Sequence, residues 1–94
     1  MNEIEIKRRL VEIGYPRHHL DIVSKELLSV SSQLRPIVEK WLSTGAEEDY
    51  SVYGFSILGL CKYRDLKYPA AILTIDWLIK EPEIAISHIN NKRR

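Results

Sequence analysis

The sequence predicts an all-α fold, a compact bundle of five or six short helices around a central apolar helix at about residues 69–80. In that central stretch only Thr74 and Asp76 carry polar side chains before Lys80 is reached. A helix that is apolar around most of its circumference is usually covered by neighbours on several sides. Apolar residues also recur at helical spacing elsewhere in the chain, and only residues 50–55 show any alternation typical of a strand.

Two prolines set the limits of the central helix. Pro69 suits a first turn, where its missing N–H would have no partner within the helix, and Pro82 cannot continue a helix that runs into it. Asp76 and Lys80 are four residues apart, which predicts a helical ion pair. A helix of about a dozen residues is too short to cross a bilayer, which needs roughly 20 apolar residues, so no membrane partner is expected.

Caps, prolines and apolar stripes predict three helices in the first half of the chain. The first covers Glu3–Ile13, with Asn2 as its N-cap and Gly14 just beyond its end. The second begins near Pro16, and the third begins within residues 32–35 and ends at a Thr-Gly pair. The residues expected to face the core are Ile4, Ile6, Leu10, Val11 and Ile13 in the first helix, Leu20, Val23, Leu27 and Val30 in the second, and Leu34, Ile37, Val38, Trp41 and Leu42 in the third.

The middle of the chain combines an irregular segment with a short fourth helix. Residues 45–55 are expected to form an extended connector, or one helical turn, that carries an acidic run at residues 47–49. Ser56 is expected to cap a helix that ends near Arg64. Within it Gly59 costs about 1 kcal/mol relative to alanine, unless another backbone approaches closely there.

The chain ends with a sixth helix, predicted from Pro82 to about Ile89, and residues 90–94 are expected to form a frayed basic tail. A chain of 94 residues is typical of one domain, so residues 1–94 are predicted to form a single helical domain. The N-terminus runs directly into a charged amphipathic pattern, which predicts that no signal peptide is present.

Charge and cysteine content narrow the possible function classes. The net charge is +1, with 7 basic and 6 acidic side chains in residues 1–45 and 7 of each in residues 46–94. The pI of about 7.9 is lower than the value of roughly 9 or more that is typical of a small nucleic-acid-binding domain. Cys61 is the one cysteine and cannot form a disulfide within the chain, which favours a reducing, cytoplasmic location.

The sequence predicts neither an enzyme nor a cofactor or metal site. His18 and His19 are neighbours that point about 100° apart on a helix, so they do not converge on one metal ion, and His88 is distant in sequence. Cys61 belongs to an apolar stripe, which favours a packed and unreactive thiol. The four glycines do not form a phosphate-binding loop pattern.

A helix-turn-helix DNA-binding regulator formed by residues 56–80 is the alternative function. The spacing of two helices around a short turn fits this motif. A recognition helix, however, presents polar side chains to base edges. Here only Thr74 and Asp76 could do so, and an aspartate repels phosphate.

The preferred hypothesis is a small non-catalytic protein-interaction or regulatory module. Aromatic residues crowd into residues 50–68, and tyrosine is enriched at interface hot spots. The candidate contact residues are Tyr50, Tyr53, Phe55 and Tyr68. The competing interpretation, favoured for Tyr63 and Phe55, is that the rings cover the fourth helix and seal the central one. The expected partner is an unknown protein or a second copy, which would self-associate through the apolar surface of residues 68–80.

Overall fold

The computed structural model describes residues 1–91 and confirms the all-α fold class. Helices account for 69% of these residues. The elements are α1 (Glu3–Glu12), a 3-10 helix (Arg17–His19), α2 (Leu20–Leu28), α3 (Arg35–Thr44), β1 (Ser51–Val52), β2 (Phe55–Ser56), α4 (Ile57–Arg64), α5 (Tyr68–Lys80) and α6 (Pro82–Asn91). Backbone contacts divide the chain into two compact units, one ending at Glu47 and the other beginning at Glu48.

In the first unit α1 packs against both α2 and α3. Asn2 Oδ1 accepts a hydrogen bond from Glu5 N at 2.9 Å and Gly14 has a φ of +75°, which confirms the predicted cap and stop of α1. Pro36 lies in the first turn of α3, and Gly45, with a φ of +79°, ends that helix as predicted. The buried apolar side chains of this unit are Ile6, Leu10, Val23, Leu27, Val30, Leu34, Ile37, Val38 and Trp41.

One part of the α1 prediction is wrong, because Ile4 and Val11 do not face the core and are 70% and 62% exposed. The buried line of α1 consists of Ile6 and Leu10. At 100° per residue, Ile4 and Val11 lie about 120–140° around the helix from the middle of that line. Ile13, at the end of the helix, is also exposed. The apolar half of α1 is therefore wider than the face that is covered.

The second helix begins later than predicted. Pro16 has an extended ψ of 131° and precedes a 3-10 helix, so the α-helix proper starts only at Leu20. Val23, Leu27 and Val30 are buried as expected, whereas Leu20 is half-buried.

Polar contacts tie α1 to both of its neighbours. Lys7 Nζ lies 2.6 Å from Asp21 Oδ1 on α2 and 3.1 Å from Glu3 Oε2. Hydrogen bonding to Asp21, and then to Glu3, raises the pKa of Lys7, and the same bond lowers the pKa of Asp21. Arg9 Nη2 donates to the Leu42 carbonyl at 2.8 Å, which satisfies a carbonyl in the last turn of α3.

The connector contains a β-hairpin that the sequence analysis did not predict. In β1 and β2, Ser51 pairs with Ser56 and Val52 pairs with Phe55, so the hairpin turns through two residues. Those residues, Tyr53 and Gly54, have φ values of 51° and 80°. Positive φ at both central positions is the geometry of a type I′ turn, whose twist matches that of paired strands.

The predicted central helix is α5, which packs against α4, α6 and β1 in the second unit. Ile72, Ile75 and Leu78 are fully buried, and Lys80 Nζ lies 2.8 Å from Asp76 Oδ2, so both the apolar role and the ion pair are confirmed. Most of the apolar surface of residues 68–80, through which the homodimer hypothesis expects self-association, is thus covered by other elements of the same chain. The buried residues of α5 are Tyr68, Pro69, Ala71, Ile72, Ile75, Asp76 and Leu78.

The last helix is longer than predicted. α6 starts at Pro82 and continues to Asn91, so Asn90 and Asn91, which were expected to belong to a frayed tail, are helical. The rest of that predicted tail, residues 92–94, lies outside the described residues. Among the helices of residues 1–91, none combines the length and the apolar character needed to cross a bilayer.

Candidate protein-interaction surface

The segment that carries the candidate contact residues is held by hydrogen bonds at both of its ends. Asp49 Oδ1 accepts from Leu58 N at 3.0 Å and from Tyr50 N at 2.9 Å. Ser56 Oγ accepts from Gly59 N at 2.9 Å, as the predicted N-cap of α4. The acidic run is therefore only partly a solvated charge cluster, because its last carboxylate accepts from one backbone donor at the start of α4 and from another in the connector.

Tyr68, one of the four candidate contact residues, belongs to the core rather than to an accessible surface. Its side chain is only 4% exposed, and its hydroxyl donates to the Glu48 carbonyl at 2.7 Å. Pro69 beside it is also buried. A buried tyrosine usually finds a partner for its polar tip, and here that partner is the backbone of the connector. The structure therefore removes Tyr68 from the predicted patch.

The other aromatic side chains differ in exposure. Tyr53, at the tip of the hairpin, is 58% exposed, whereas Tyr50 and Phe55 are half-buried. Tyr63 is 76% exposed, which corrects the interpretation that its ring covers α4. Its exposure follows from its position, because Ile57 and Leu60 form the buried line of α4 and, at 100° per residue, Tyr63 lies about 90° around the helix from the middle of that line.

Phe55 and Tyr63 line one shallow groove of ≈ 320 Å³ between the hairpin and α4. We call it the aromatic groove, and its lining residues are Gly54, Phe55, Ser56, Gly59, Leu60, Tyr63 and Arg64. The two glycines line the groove with backbone alone. At Gly59 an added Cβ would lie 2.6 Å from Ser56 Oγ, so the capping hydroxyl, and not a second backbone, is what crowds this position. Tyr53 adjoins the groove through the turn.

The charge at the aromatic groove is basic. Arg64 lines it, and Lys62 Nζ lies 5.2 Å from the centre of the Tyr63 ring, within cation–π distance. No acidic side chain is among the groove residues in the described part of the chain. The groove can therefore accept an apolar or aromatic side chain with a neighbouring acidic group.

The helix-turn-helix hypothesis can be compared with the same region. α4 and α5 are joined by three residues, and Asp65 ends α4 with a φ of 58°. The first turn of α5, which would enter the major groove, contains the buried residues Tyr68, Pro69 and Ala71. A recognition helix contacts base edges with its N-terminal residues, so their burial opposes this function.

The remaining residues considered for chemistry are scattered. The His18 and His19 rings lie 4.1 Å apart in the 3-10 helix, closer than an α-helical wheel suggests. The centres of the His88 and Trp77 rings lie 5.1 Å apart, and Cys61 is half-buried. Within residues 1–91, no group of three His, Cys, Asp or Glu side chains is arranged to hold a metal ion.

Comparison with protein-family models, curated proteins and solved structures gives no match to this chain.

Proposed function

We propose that this chain is a small, non-catalytic protein-interaction module that acts in the cytoplasm and holds a partner protein at the aromatic groove. The observation that carries the proposal is the 76% exposure of Tyr63 on a groove that it shares with Phe55. Tyrosine and tryptophan rings at exposed, preformed sites are enriched among interface hot spots. A partner that inserts an apolar side chain there would also cover Tyr53 at the hairpin tip.

The rigidity of the groove supports this proposal. Asp49 and Ser56 satisfy the first N–H groups of α4, and the two-residue turn fixes the hairpin. A surface that is ordered before binding loses less conformational entropy when the partner arrives. The groove therefore carries its rings on a backbone that is ordered before binding.

Affinity capture from the source cell tests the proposal. The unmodified protein is compared with a Tyr53→Asn/Tyr63→Ala variant, since asparagine tolerates the positive φ of residue 53. The matched control is Ile4→Ala/Val11→Ala, which removes apolar side chains of similar exposure from the first unit. Loss of a hot-spot residue costs about 2 kcal/mol, so we expect roughly 30-fold weaker capture by the double variant. Equal capture of the same proteins by all three forms would rule out the aromatic groove as the contact surface.

The alternative function is a DNA-binding regulator that uses residues 56–80. It is supported by the short turn between α4 and α5, and by Lys62, Arg64 and Lys67 near that turn. Binding to duplex DNA that weakens steeply with added salt would favour it, since released counterions make such binding salt-dependent. If the protein is not retained on duplex DNA at low salt, the DNA-binding hypothesis is wrong.

Light scattering tests the homodimer hypothesis. A chain that stays monomeric at high concentration would rule out self-association.

A further inference from the structure

A further pocket, of ≈ 350 Å³, lies where side chains of α4, α5 and α6 meet in the second unit. Its apolar wall is formed by Leu60, Leu66, Trp77 and Ile89. Pockets for small ligands usually have volumes of roughly 300–1,000 Å³, with mostly apolar walls and a few polar groups. At about 30 Å³ per water-sized position, this pocket has space for about a dozen non-hydrogen atoms.

The titratable groups that line this pocket are basic, and Thr74, its other polar residue, donates its hydroxyl to the Ala70 carbonyl at 2.9 Å. Arg64 and His88 line it, and no carboxylate does so among residues 1–91. Arg64 is half-buried, and its Nη1 donates to the Ile89 carbonyl at 3.1 Å, which leaves donors of the five N–H groups of its guanidinium for another acceptor. Trp77 already has a partner for its indole N–H, because Nε1 donates to Glu81 Oε1 at 3.1 Å. Among the described residues that line the pocket, the group that always carries a positive charge is the Arg64 guanidinium, which we take as the one that recognises a ligand.

We propose that this pocket binds a small monocarboxylate with an apolar or aromatic body. The carboxylate would accept hydrogen bonds from Arg64, and the body would pack among Leu60, Leu66 and Trp77. Arginine suits this role because its planar donors match the two oxygens of a carboxylate and the bond is charge-assisted. The proposal does not depend on partner recognition at the aromatic groove, although Leu60 and Arg64 line both sites.

The probe is 3-phenylpropionate, and its matched control is the neutral amide 3-phenylpropionamide. The chain has two tryptophans, so nuclear magnetic resonance of the unmodified protein shows two indole N–H signals. The signal that is lost in a Trp41→Phe variant belongs to Trp41, and the other reports on the pocket. We expect the Trp77 signal to shift with the acid at a Kd of about 1 mM, and the amide to bind about 10-fold more weakly.

Two variants locate the site. Arg64→Gln keeps a donor for the Ile89 carbonyl but removes the charge, so the acid should bind about 10-fold more weakly and no better than the amide. Leu66→Trp fills the pocket without replacing a residue of the aromatic groove, and should abolish the shift. Circular dichroism confirms that each variant is folded. The proposal is overturned if the acid does not shift the Trp77 signal at 20-fold excess over about 1 mM. It is equally overturned if acid and amide bind alike, or if either variant binds the acid as the unmodified protein does.

Discussion

The Tyr68 hydroxyl donates a hydrogen bond of 2.7 Å to the Glu48 carbonyl, and this contact joins the first turn of the central helix to the connector twenty residues earlier. The tyrosine ring is buried while Glu48 lies at the surface. The bond therefore holds the connector from which the hairpin and the aromatic groove arise.

Replacement of Tyr68 by phenylalanine should lower the free energy of unfolding by about 1 kcal/mol, the net contribution of a typical intramolecular hydrogen bond. The ring stays in place and only the donor to Glu48 is lost. Urea titration measures the change. Tyr63→Phe is the control, because that side chain is 76% exposed and its variant should unfold within about 0.5 kcal/mol of the unmodified protein. Equal stability of the two variants would mean that the Tyr68 hydroxyl does not hold the connector.

The burial of α5 and the different exposures of Tyr68 and Tyr63 show which parts of the core the sequence predicts. The apolar spacing of Ile72, Ile75 and Leu78 predicted their burial, because helical periodicity places all three on one side of α5. Tyr68 and Tyr63 carry the same side chain at opposite extremes of exposure. Tyr68 bonds a carbonyl twenty residues away, which no local pattern reveals. Tyr63 lies about 90° around α4 from its buried line, a position that the helical wheel alone gives.

The sequence does not indicate the hairpin, because neither its turn residues nor its strands carry a recognisable signal. A two-residue turn with positive φ at both positions is most strongly signalled by Asn-Gly or Asp-Gly, whereas this chain has Tyr53-Gly54. Two strands of two residues are also too short for an alternating pattern to be distinguished from a connector. The aromatic groove depends on this hairpin, so its position could not be predicted from the sequence.

The hairpin turn provides a second prediction. Tyr53→Asn should raise the free energy of unfolding by about 0.5–1 kcal/mol, because asparagine adopts positive φ more readily than tyrosine does. The control is Tyr53→Val, where a β-branched residue at positive φ should lower stability. Thermal unfolding of both variants tests the sign. If asparagine and valine have the same effect, the turn is not of the type I′ geometry described.

The ion pair between Lys7 and Asp21 predicts a pH dependence of stability. Lys7 lowers the pKa of Asp21 from its ordinary value of 3.8, so the pair stabilises the fold above that value and this contribution is lost as the pH falls through the lowered pKa. Because the same contact raises the pKa of Lys7, its contribution is present below 10.5 and is lost as the pH rises through the raised value.

An Asp21→Asn variant should therefore lose part of the acid-side slope of stability against pH, measured by urea titration at a series of pH values below about 5. Asp21 is exposed and Lys7 is only half-buried, so added salt should reduce the difference between the two proteins. Glu47→Gln is the control, since this exposed carboxylate belongs to the acidic run and has no ion pair among the contacts described. Identical slopes for the unmodified protein and Asp21→Asn would show that the pair does not form in solution.

Gly59 tests the cap of α4. Alanine normally stabilises a helix by about 1 kcal/mol relative to glycine, but here the new Cβ would lie 2.6 Å from Ser56 Oγ. The hydroxyl must move, and its hydrogen bond to residue 59 N is lost with a cost of about 1 kcal/mol. Gly59→Ala alone should therefore leave the free energy of unfolding unchanged or lower it.

The same substitution should act differently without the cap. In a Ser56→Ala protein the obstructing oxygen is absent and the next nearest atom, the Cβ of residue 56, is 3.9 Å away, so Gly59→Ala should now stabilise by about 1 kcal/mol. Urea titration of the four proteins closes a double-mutant cycle, whose coupling energy should be about 1 kcal/mol or more. A coupling energy near zero would mean that the Ser56 hydroxyl does not obstruct a Cβ at position 59. The presence of glycine at that position would then not be explained by the cap.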